Sequence, residues 1–166
     1  MTSPAFRVER TPARRFNSKL RTVRLHLARE PKHPNGSELH GYGLIAPLDA
    51  HGMLDPSLWR KERAQCRVVR FWAGEQTLFG MLVRRHGGAG GATWGFDFDP
   101  DRADDDEIGV RLDIHRFRTG DYVTIKHLGE AHVFRVASVD DFAPENRLPP
   151  LAPGRSKTER DDSPAA

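Results

Sequence analysis

Between Leu20 and Val139 the chain places apolar side chains at every second position again and again, and this period selects strands over helices. In RTVRLHLAR, Val23, Leu25 and Leu27 alternate with Arg24 and His26, the pattern of a half-buried strand. EPKHPNGSEL interrupts it with two prolines and an Asn35-Gly36 turn signal, and HGYGLIAPL resumes extended structure up to Pro47. RVVRFW and TLFGMLVRR flank a turn at Ala73-Gly74-Glu75-Gln76, and the glycine-rich HGGAGGA precedes TWGFDFD, where Trp94, Phe96 and Phe98 alternate. The acidic PDRADDDE reads as a loop. VRLDIHRF, with Val110, Leu112 and Ile114 on one face, DYVTIK and AHVFRVASV then read as the last strands.

One helix interrupts this succession. Asp55 is a good N-cap, Pro56 suits the first helical position, and SLWRKERAQ contains no breaker, so a short helix is predicted over Pro56–Gln65. Strands joined by local connections predict a mainly β fold: a six- or seven-stranded antiparallel meander curled into a partly open barrel, with the helix across one end. Curling is favoured because a flat sheet would expose two edges and an apolar face. Residues 1–18 read as a disordered basic arm, 19–142 as the single domain, and the proline-rich, charged 143–166 as a disordered tail.

No apolar run approaches the roughly 20 residues that span a bilayer, and no secretory signal is read at the N-terminus, so a cytoplasmic address is expected. The lone Cys66 excludes an internal disulfide and any multi-cysteine zinc site. Charge is unevenly spread beneath a net +3. Met1–Glu30 carries eight Lys/Arg against two Asp/Glu, whereas Asp97–Phe142 carries six against twelve. A basic arm beside an acidic patch suits a polyanion partner, or an arm resting on its own domain.

Chemical motifs are sparse. Asp97, Asp99 and Asp101 space like the start of a calcium loop, but Arg102 stands where glycine is needed and Ile108 where the bidentate glutamate belongs. Eight histidines make no HxH, HxxxH or HExxH pair; His115, His127 and His132 on the last strands, with His26 on the first, are the nearest to a set. Cys66 follows the helix instead of opening it, so nothing there lowers its pKa. HGGAGGA lacks the lysine and the helix N-terminus of a phosphate loop. No metal or other cofactor is called for.

The basic and aromatic residues point further. Arg7, Arg10, Arg14, Arg15, Lys19 and Arg21 form a polyanion-binding arm of the counterion-releasing kind, and Arg24 and Arg29 extend it. Arg70, Phe71 and Trp72 are candidates for a stacking surface, although alternation assigns Trp72, Trp94 and Phe96 equally to a core. Candidate ligand-binding residues are Arg70, Trp72, Trp94, His115, His132 and Arg135. In FRTGDYVTI, Gly120-Asp121 marks a tight corner before a strand.

The segments HGYGLIAPLDAHGMLD, CRVVRFWAGE, FRTGDYVTI and HVFRVASV resemble an uncharacterised family of small bacterial proteins over roughly Thr22–Val139. The resemblance implies a compact bacterial domain and transfers no functional residue. The expected function is a non-enzymatic binding or accessory module, with a protein partner, a second copy or a weakly bound polyanion as its target. Two rivals stand beside it: a nucleic-acid-associated module using the arm, and an enzyme centred on His115 and His132 with Arg135 or Asp113.

Overall fold

Strand β1 (Lys19–Leu27) forms where the alternation starts, with Val23, Leu25 and Leu27 buried and Arg24 exposed. The computed structural model describes residues 17–86, 92–98, 107–109, 112 and 115–143. Within them the chain continues through β2 (Ser37–Leu48), helix α1 (Pro56–Glu62), β3 (Arg67–Trp72), β4 (Leu78–His86), β5 (Ala92–Asp97), β6 (Glu107–Gly109), β7 (Tyr122–His127) and β8 (Glu130–Asp141). Each strand pairs antiparallel with the next, as the alternation predicts. β8 then returns to β1, so the described strands form a closed barrel of eight. The three-residue β6 brings the number to eight, and the β1–β8 seam closes the ring of described strands.

That seam joins Val23 to Val139 and Leu27 to Phe134, and Arg21 forms an ion pair with its register partner Asp141. Bulges shift the register of β1 between Arg24 and Leu25 toward β8, and between His26 and Leu27 toward β2. Extra residues of this kind bend a strand and re-aim its side chains. β7 and β8 are joined by a two-residue turn, Leu128-Gly129, whose φ angles of 47° and 82° match the right-handed twist of the flanking strands.

The interior is a single apolar cluster, with Tyr42, Phe96, Phe117 and Phe134 its largest fully buried members. α1 covers the end of the barrel where β2 finishes. Its N-cap Asp55 accepts hydrogen bonds from the Ser57 and Leu58 backbone N–H groups at 2.8 and 3.2 Å. Trp59 anchors the helix by donating from Nε1 to the Leu82 carbonyl at 2.9 Å and packing edge-on against Trp94. A 3₁₀ turn over Arg63–Gln65 completes the helical segment. No helix among the described residues is long and apolar enough to cross a membrane.

One expectation needs adjusting. VRLDIHRF does not form a strand where it is described: Leu112 lies in a turn and His115–Arg118 have no regular structure, and the pairing strand is Glu107–Gly109 instead. Leu112 is nevertheless buried, because filling the core requires an apolar side chain at the right place, not a strand. Both faces of the β3–β4 hairpin carry apolar residues, and they differ in burial. Val68 and Leu82 face inward, whereas Phe79 is outside and 68% exposed. Residues 1–16, most of the acidic loop, Ile114 and the tail from 144 onward lie outside the described residues.

Candidate functional site

Two regions bring polar chemistry together. One is the mouth of the barrel opposite α1, where β1 and β3 end and β2 and β8 begin. Inward parity places His40 on β2 directly across from Trp72 on β3, with Arg70 two residues before it. His40 meets the Trp72 indole edge-on at 4.6 Å between centroids, His132 meets it at 5.3 Å, and the Arg70 guanidinium lies 4.7 Å over it. Arg70 is only 3% exposed and pairs with Glu75 at 2.9 Å across the β3–β4 turn. His132 Nδ1 stands 2.9 Å from Glu30 Oε2, and His33 stacks obliquely on His40 at 4.6 Å. Glu30 and His33 are held there by a reciprocal backbone pair at 3.0 and 2.9 Å that folds the β1–β2 connection across the mouth.

This layer is a plug. Its rings, guanidinium and carboxylates engage one another, and among the described residues no three His, Cys, Asp or Glu side chains are arranged to hold a metal ion. Burial is the main cause that lowers the His40 pKa, with His33 and Arg70 acting in the same direction and Glu30 and Glu75 against it. Ser37 Oγ lies 2.7 Å from His40 Nδ1 and fixes the ring. Since the unfolded chain binds the His40 proton more readily, stability is full above the ordinary histidine pKa and falls as pH drops through about 6.5 toward the lowered folded value. The urea midpoint should therefore decrease from about pH 7.5 to about pH 5, with a change in Trp72 emission, and His40→Gln should flatten both trends. An identical slope in wild type and His40→Gln would show that His40 is not the group responsible.

The other region is a lateral groove of about 710 Å³ on the outer surface, beside the end of β1, the starts of β2 and β7 and the middle of β8. Its lining includes His26, Arg29, Glu38, Tyr122, Val133 and Arg135. Outward parity puts these side chains there: Tyr122 precedes the inward Val123, and Arg135 separates the inward Phe134 and Val136. The Gly120-Asp121 corner predicted from sequence forms one wall. The Gly120 N–H donates to the Val136 carbonyl and the Val136 N–H to the Asp121 carbonyl, each at 2.8 Å. Arg29 and Arg135 are exposed and make no ion pair among the described residues. His26 has a lowered pKa, mainly because burial disfavours its cation; Glu38 opposes this and Arg24 adds to it.

The candidate residues thus divide. Arg70, Trp72 and His132 converge, but within the plug, so Arg70 and Trp72 do not share a surface with Phe71 as expected. Trp94 is core, packed between Trp59 and the Arg84 guanidinium. Arg135 lines the groove. His115 precedes Phe117, whose N–H donates to the Gly52 carbonyl at the helix-covered end, whereas His132 lies at the mouth; the two do not meet. Arg7, Arg10, Arg14 and Arg15 lie outside the described residues. Lys19 opens β1 at the end remote from the groove, and Arg21 is engaged by Asp141.

Cys66 is buried, its thiol is pushed up to about 12 by burial and by Glu62, and its sulfur faces the Glu62 carbonyl. That thiol is a poor nucleophile. Glu30, His33, His40 and Glu75 were not singled out in the sequence, since only the register and the folded connection bring them to Trp72. No protein-family model, no curated protein and no solved structure matches this chain.

Proposed function

We propose that the domain is a non-enzymatic binding module whose lateral groove takes an anionic, phosphate-bearing ligand. The observation that carries this reading is the pair of exposed, unpaired guanidiniums of Arg29 and Arg135 on one concavity. An arginine with no partner in its own fold presents a planar fork of donors that matches phosphate oxygens. The concave wall raises the local potential beyond that of a flat surface carrying the same charges. Glu38 on the rim opposes an anion at that point and directs the ligand toward the arginine side.

The enzyme reading has no support in the arrangement, because His115 and His132 are apart and His132 is engaged by Glu30. The basic arm fits the same ligand class and adds sequence-independent attraction. It enters β1 at Lys19, eight residues and about 26 Å along the strand from the end of β1, so groove and arm are separable contributions. The resemblance to small bacterial proteins adds no residue to the groove.

Inorganic polyphosphate is a direct probe. The Arg29→Ala/Arg135→Ala double variant should bind it about 10-fold or more weakly at low salt, with a shallower dependence of affinity on salt. Deleting residues 1–16 should weaken binding further and independently. Wild-type affinity in the double variant would overturn the assignment of the groove.

A further inference from the structure

We infer that the groove opens onto a stacking surface for single-stranded nucleic acid, formed by Tyr122, His26 and Phe71 in one row across the outside of the barrel. This rests on the anionic-ligand reading above and specifies its ligand. The row follows from register alone. Tyr122 on β7 pairs with Arg135 on β8, Arg135 with His26 on β1, His26 with Gly41 on β2, and Gly41 with Phe71 on β3. Neighbouring strands are about 4.8 Å apart, so the row runs roughly 19 Å across the barrel wall.

Each member has a defined part in it. Tyr122 is 56% exposed, although a tyrosine buries well, because its parity is opposite to that of Val123 and Ile125. Arg135 stands between Tyr122 and His26 with its cation unpaired. Gly41 contributes no side chain, and the Phe71 ring reaches over it: a Cβ there would lie 3.1 Å from Phe71 Cζ. Phe71 thereby meets His26 edge-on at 6.4 Å between centroids. The lowered pKa of His26 keeps its imidazole neutral at pH 7, so it offers a ring face without adding a third positive charge. Arg24, two residues along the same face of β1, is exposed and adds a cation beside the row.

A single exposed aromatic residue means little on a protein surface. Three rings in one continuous row, with Arg135 among them and Arg29 in the adjoining groove, are a different matter. Phosphate alone requires only the arginines, and a duplex keeps its base faces stacked inside the helix. A single strand offers both phosphates for Arg29 and Arg135 and free base faces for the rings, with each stacked base contributing about 1–3 kcal/mol. Rings and cations in this order accommodate a single strand running across the barrel from Tyr122 to Phe71, with Glu38 the one opposing charge felt at His26.

The test uses the full chain with fluorescein-labelled 12-residue oligo-uridylate and oligo-thymidylate, a duplex of the same length, and inorganic polyphosphate. Tyr122→Ala and Phe71→Ala should each weaken binding of the single strands about 10-fold while polyphosphate affinity stays at the wild-type level; Tyr122→Phe should bind as wild type. The duplex should bind more weakly than either single strand. Comparison of the two oligonucleotides tells RNA from DNA as the source of the strand. Wild-type single-strand affinity in Tyr122→Ala, a change on the outer face away from the core, would overturn the stacking surface. If the Arg29/Arg135 variant still lost polyphosphate in that case, the groove reading would stand without it. Equal losses of oligonucleotide and polyphosphate in the aromatic variants would show a general polyanion site and equally overturn the inference.

Discussion

Gly41→Ala should destabilise the domain by about 4 kcal/mol or more, whereas Gly74→Ala should cost only about 1–2 kcal/mol, both read as shifts of the urea midpoint. The two glycines are kept by different physics. Gly74 has φ of +84° and open space around the position a Cβ would take, so alanine there pays only for a left-handed backbone. Gly41 has an ordinary extended backbone, but an added Cβ would stand 1.9 Å from the Leu25 carbonyl oxygen and 2.9 Å from its carbon. That neighbour is backbone within the β1–β2 ladder and has no rotamer to escape into. The strands must separate where the register of β1 shifts against both of its neighbours, which removes ladder hydrogen bonds and exposes Leu25. Against a typical domain stability of about 5–15 kcal/mol, this is a large share. Equal midpoint losses for the two variants would mean that the β1–β2 crossing is looser than the structure places it.

Gly41 also shows where the sequence stops being legible. Two-residue alternation marks β1, β5, β7 and β8 correctly, and Val23, Leu25, Val123 and Ile125 are all essentially inaccessible. The N-cap and helix at Asp55–Gln65 were legible because capping is local chemistry. RVVRFW was legible as a strand but not in its facing, since Val68 and Val69 occupy both parities and no period chooses a face; only pairing of His40 with Trp72 turns Arg70 inward. β6 is three residues long, too short for any period to declare itself, and the alternation just after it in VRLDI drew the expected strand downstream.

The groove was closer to legible than the mouth. Once the β7–β8 turn is read as two residues, positions equidistant from it must face one another: His127 opposite Glu130, and therefore Tyr122 opposite Arg135. Parity relative to Val123 then sends both outward. What the sequence does not contain is the β1–β8 seam that sets His26 beside Arg135, because closure of a barrel is a long-range event without a local signature. The mouth depends on two such events, the seam and the folded β1–β2 connection. His33 and His40 are separated by the six residues from Pro34 to Leu39, and no spacing rule foretells that their rings stack at 4.6 Å.

Phe134 ties the mouth to the core, and its truncation should be the second large effect. The ring is fully buried, contacts Tyr42 edge-on at 5.0 Å, and lies 6.4 and 6.5 Å from Trp72 and His132. Phe134→Ala should cost about 3–5 kcal/mol, combining lost transfer energy with a cavity that the closed barrel cannot collapse. Phe134→Leu, which keeps most of the volume, should cost about 1.5 kcal/mol or less. A stability loss alone would not distinguish support of the plug from ordinary core packing, but the pKa of His40 does. Burial is the main cause of its lowering, so water admitted beneath Trp72 should raise it toward the ordinary histidine value. In Phe134→Ala the change in Trp72 emission should therefore move to higher pH, while in Phe134→Leu it should stay at the wild-type position. An unmoved transition in the alanine variant, with the full stability loss, would mean that the plug is held by its own polar contacts and not by the ring beneath it.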